Sequence, residues 1–93
     1  FNDLEFTQIE RSLIDMLARS GKAGKSASVN EVNVVLGLAR KSLEVQKKAR
    51  TEAINRINHK YRVMNHVDQD LIVRVRSEED RRYYHYVINE FAN

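Results

Sequence analysis

Ninety-three residues, 42% of them hydrophobic and 31% charged, suffice for one domain and exclude both a second core and a disordered tail. No apolar run approaches the roughly 18 residues of a membrane span. The absence of cysteine excludes disulfides, thiolate nucleophiles and sulfur-ligated zinc, and it fits a reducing, cytoplasmic setting.

The net charge of +3 is unevenly spread. Residues 21–65 carry ten Lys and Arg against three Glu, a local excess of +7, while residues 1–20 and 66–93 each carry −2. A basic middle between acidic ends points to a polyanionic partner. Phe1 in place of an initiator methionine leads to the expectation of a fragment or trimmed product. The opening Phe1-Asn2-Asp3-Leu4-Glu5 has neither the basic nor the apolar region of a secretory signal.

In chain order, Thr7 and Glu10 form a capping box at the start of a first helix. Its apolar stripe is Ile9, Leu13, Met16 and Leu17, with Phe6 just outside the cap. Ser20-Gly21 is expected to end it, and the glycine- and serine-containing stretch from Gly21 to Ala27 reads as a loop. Ser28 and Glu31 form a second capping box before a helix of about two turns, stopped by Gly37. A third helical pattern runs from near Ser42 through Ala49, Ala53, Ile54, Ile57 and Tyr61 to Met64, its start left between Leu38 and Ser42. The absence of proline suits such long helices. Leu71 to Arg76 alternates in part with period two and is rich in β-branched residues, which predicts a strand. The turn Ser77-Glu78-Glu79-Asp80 follows, then a second strand from Arg81 to Asn89.

The expected fold is therefore α+β and mainly α: a three-helix helix-turn-helix core followed by a C-terminal β-hairpin. That order, a short second helix, the Leu36-Gly37-Leu38 turn, a long basic third helix and a hairpin, resembles the winged helix-turn-helix superfamily of transcriptional regulators. The hairpin Arg76-Ser77-Glu78-Glu79-Asp80-Arg81-Arg82 is similar to the wing of MarR-type regulators. The resemblance implies that Asp80 orients Arg81 or Arg82 toward a minor groove. The chain lacks the long terminal helices through which that family dimerises, so the likeness is to the winged core.

On a helical wheel Ala49, Ala53, Ile54, Ile57, Tyr61 and Met64 share one face, and Lys48, Thr51, Glu52, Asn55, His59 and Arg62 lie opposite. Lysine and arginine neutralise phosphate, asparagine pairs with adenine, and threonine meets a thymine methyl. Lys47 and Arg50 fall toward the apolar side, which makes sense if the N-terminal end of the helix projects into a groove. The residues expected to contact double-stranded DNA are Arg40, Lys41, Ser42, Lys47, Lys48, Arg50, Thr51, Asn55, Arg76, Arg81 and Arg82. The competing reading is a solvated face of snorkelling cations, on a winged module that binds protein instead.

Other constellations are weaker. Gly21-Lys22-Ala23-Gly24-Lys25-Ser26 lacks the spacing and preceding strand of a phosphate loop. His59, His66, Asp68 and Asp70 match no zinc or calcium pattern. No nucleophile elbow is present. Neither catalysis, a cofactor nor a metal is expected. Tyr84 and Tyr86 should share a strand face, packed on the helices, with Tyr83 opposite. An exposed ring there would serve a homodimer or another partner.

Overall fold

The computed structural model describes residues 6–79 and 83–89. Its elements are α1 (Gln8–Lys22), β1 (Ala27–Ser28), α2 (Val29–Val35), α3 (Leu43–Asn65), β2 (Ile72–Arg76) and β3 (Tyr84–Ile88). The strands form one antiparallel sheet in the order β1-β3-β2. The arrangement is α+β and mainly α. No helix among the described residues is long and apolar enough to cross a membrane.

Local chemistry sets the helix ends. Both capping boxes form, at Thr7/Glu10 and Ser28/Glu31, each satisfying two otherwise orphaned backbone groups. Ser42 caps α3 through its hydroxyl, which accepts from the Val45 amide at 3.3 Å. At the C-terminus of α2, Gly37 takes φ 74°, and the Leu38 amide donates to the Asn33 carbonyl at 2.8 Å. This Schellman closure needs a left-handed residue, which glycine adopts without strain. The helix α1 closes in the same way at Gly24, so Ser20 and Gly21, expected to end it, lie within its last turn.

Leu13, Leu17, Val32 and Ile57 are the most completely buried large side chains, and Phe6, Ile54, Ile72, Tyr86 and Ile88 complete the core around them. The expected stripe of α1 holds at Leu13, Met16 and Leu17 and fails at its first member. Ile9 is 54% exposed, and Glu10 is buried at 3%. Its carboxylate tolerates burial because the Thr7 amide (2.8 Å), Lys60 Nζ (2.7 Å) and Arg56 Nε (3.4 Å) all donate to it. Burial alone would raise the Glu10 pKa, but Lys60, the Thr7 amide and Arg56 together hold it below the usual carboxylate value.

The hairpin register pairs Ile72 with Ile88, Arg74 with Tyr86 and Arg76 with Tyr84. Directly opposed residues share a face, so Arg74 and Arg76 extend the side of the sheet that carries Ile72, Tyr84, Tyr86 and Ile88. Asn58 on α3 anchors the start of β2, accepting from the Ile72 amide at 2.8 Å and donating to its carbonyl at 3.0 Å. The two-residue strand β1 occupies the end of the stretch expected to be loop. It packs the fully buried Ala27 against Tyr86 of β3.

Candidate nucleic-acid interface

The exposed surface of α3 is organised by its i, i+4 spacing. Leu43, Lys47, Thr51 and Asn55 follow one another along one ridge, and all four are exposed. Lys48 is exposed beside them, and Arg40 and Lys41 are exposed in the turn that leads into the helix. Among the described residues, none of these four cations forms a salt bridge. Glu44 and Glu52 lie on the same exposed side, so the surface is mixed in sign, not uniformly basic.

Beyond Thr51 and Asn55 the ridge meets the sheet. A groove of about 370 Å³ runs between α3 and β2, lined among others by Thr51, Asn55, Asn58, Asp70, Arg74 and Tyr86. Asp70 is paired with Arg62. The Arg74 guanidinium lies over the Tyr84 ring, 4.9 Å from its centroid, an arrangement that fixes the cation without neutralising it. Arg76, two residues along the strand, is exposed on the same face.

Arg50 corrects one expected contact. It is 5% exposed and points into the protein, where Nη1 donates to Asn33 Oδ1 at 2.9 Å and Nε to the Tyr86 hydroxyl at 3.2 Å. The wheel position that made Arg50 look like a projecting reader is the core-facing position, and neutral oxygens satisfy the guanidinium there. It is not a surface contact. The network continues outward. Asn33 donates to Gln46 Oε1 at 3.4 Å, and Gln46 donates to the Leu38 carbonyl at 3.0 Å. One polar chain, buried at Arg50 and partly exposed at Gln46, thus links β3, α3, α2 and the turn carrying Arg40 and Lys41. Burial, only partly offset by Arg50, raises the Tyr86 pKa. Burial would likewise raise that of Tyr84, but hydrogen bonding with Arg50, Arg74 and Tyr86 brings it below the ordinary tyrosine value.

The structure therefore brings Arg40, Lys41, Lys47, Lys48, Thr51 and Asn55 onto one end and side of α3, with Arg74 across the groove and Arg76 two residues further along β2. Ser42 sits among them, its hydroxyl committed to capping. Asp80, Arg81 and Arg82 lie outside the described residues, as does the wing-tip geometry expected of them. Two exposed residues of this surface were not among the expected contacts, Leu43 and Arg74. The alternation of Ile72, Arg74 and Arg76 carried the signal for Arg74, whereas Leu43 carried none, because an apolar residue at a helix start reads as core. Tyr86 is buried and Tyr84 partly so, their rings edge to face at 5.7 Å between centroids, and Tyr83 is exposed. No family model, curated protein or solved structure matches the chain.

Proposed function

We propose that this chain is a winged helix-turn-helix domain that binds double-stranded DNA in a transcriptional regulator. In this reading α3 enters the major groove, and the β2–β3 hairpin lies beside it as the wing. The observation that carries the reading is the shared orientation of two independent features. Thr51 and Asn55 on the exposed ridge of α3 and Arg74 on β2 line one groove, and the ridge side of α3 and its leading turn carry Arg40, Lys41, Lys47 and Lys48, exposed and without salt bridges among the described residues. Lys and Arg on such a surface neutralise phosphates and position the domain, while Thr51 and Asn55 offer groups that distinguish bases. The role is binding, with no catalytic step.

A second reading is a winged module that binds protein. The glutamates Glu44 and Glu52, interleaved with Lys47 and Lys48, favour it, because they oppose phosphate approach. Titration of a fluorescently labelled generic duplex across a salt series separates the two. DNA binding predicts a logarithmic affinity that falls linearly with the logarithm of salt, with a slope near 0.9 per neutralised phosphate. Lys48→Ala should make that slope shallower. Failure of the wild-type domain to bind at low salt would leave the protein-interaction reading.

A further inference from the structure

The apolar stripe of α3 does not stop where the core stops. Ile57, Ile54 and the buried stem of Arg50 recur on the inner side of the helix, and Leu43, seven residues before Arg50, continues the same line. Yet Leu43 is 82% exposed, the highest exposure among the large hydrophobic side chains described. The helix has run past the protein that would cover it. Leu43 also begins the i, i+4 ridge that continues through Lys47, Thr51 and Asn55.

We infer that Leu43 is a base-reading residue, packing on thymine 5-methyl groups in the major groove and giving the domain a preference for thymine at that position. The inference rests on the DNA-binding reading and specifies it. Charge complementarity identifies the occupant. Arg40 and Lys41 immediately precede the Leu43 turn, Lys47 follows one turn later, and all three are exposed and without salt bridges among the described residues. A greasy protein surface would leave these cations desolvated and unpaired, which is costly, whereas the phosphates flanking a major groove neutralise them. Within that groove the thymine methyl is the apolar feature of the base edges, and an aliphatic side chain recognises it by contact. Thr51, two turns further along the ridge, has the same capacity through its γ-methyl. Glu44, exposed at the adjacent position, opposes a phosphate placed beside it.

The test replaces the methyl, not the charge. A random-sequence duplex pool is passed over the domain and the bound fraction sequenced. The enriched duplex is then made in two forms, one with thymidine and one with deoxyuridine at every thymine. Wild type should bind the thymidine form about fourfold more tightly for each methyl it covers, the worth of roughly one buried methylene. Leu43→Ala should lose that discrimination for one methyl while keeping the salt slope, since no phosphate contact is removed. Because Leu43 is exposed, the variant should keep the wild-type circular dichroism and melting temperature. Equal binding of both forms by wild type overturns the inference and leaves DNA binding intact. Full discrimination retained in Leu43→Ala assigns the methyl contact elsewhere and also overturns it. No binding to either form at low salt overturns the DNA-binding reading itself, and this inference with it.

Discussion

Arg50 donates to Asn33 and Tyr86 from inside the core, so its removal acts on stability before it acts on any ligand. Arg50→Ala leaves two buried acceptors unsatisfied and opens a cavity, together about 2–4 kcal/mol. Arg50→Met fills more of the space and removes the buried charge, so it should be the milder of the two. Lys48→Ala, on the exposed face, should stay within about 0.5 kcal/mol of wild type while weakening duplex binding. Chemical denaturation of the three variants checks this order, and equal stability of Arg50→Ala and Lys48→Ala would contradict the buried assignment. Glu10 supplies a pH-dependent counterpart. Its pKa is held below the usual carboxylate value in the folded state, so its ionised form binds its partners best. The resulting stabilisation is complete above the unfolded-state pKa and is lost as pH falls through the lower folded-state value. Glu10→Gln should cost about 1–3 kcal/mol near neutrality and show a flatter loss of stability below pH ~5. Parallel acid limbs in mutant and wild type would show that the Lys60 and Arg56 contacts carry no net energy.

At the scale of elements, α3 is the part on which the rest depends, because it supplies both core side chains and the anchor for β2. Ile54→Asn places an unpaired amide in the core and should cost roughly 3 kcal/mol or more, read as collapse of the thermal transition. Asn58→Ala releases both polar groups of Ile72 and should cost about 2 kcal/mol, with faster hydrogen exchange at the Ile72 amide as its local signature. Protection at Ile72 equal to wild type would show that the strand holds its register unaided. The helices were legible in the sequence because their ends are written in short-range chemistry: Thr7 with Glu10, Ser28 with Glu31, and Gly37. The length of α1 was less so, because the residue that needs a positive φ is Gly24 and not Gly21. Strand β1 was hidden because two residues carry no periodicity, and only its long-range pairing with Tyr86 and His85 defines it. The inward turn of Glu10 was equally hidden. A carboxylate reads as surface until the lysine and arginine that reach it, some 50 residues away in sequence for Lys60, are brought beside it.

For the whole molecule, the charge segregation along the chain becomes a partial segregation in space. Four of the ten cations of the basic middle segment lie on the exposed end of α3 and its leading turn, whereas Arg56 and Lys60 are drawn to Glu10 on another side and Arg50 is inside. Counting cations in the sequence therefore overstated the surface, and the expected contact set understated it by omitting Arg74, to which the alternation in β2 pointed. The proposal that one duplex contacts both α3 and the β2 edge is tested most directly by titrating duplex DNA into the isotopically labelled domain and following backbone amide shifts. Perturbations are expected to concentrate from Arg40 to Asn55 and at Arg74 and Arg76, with the solvent side of α1 around Ile9 and Ser12 unmoved. Perturbations centred on α1, or confined to α3 with Arg74 and Arg76 silent, would contradict it.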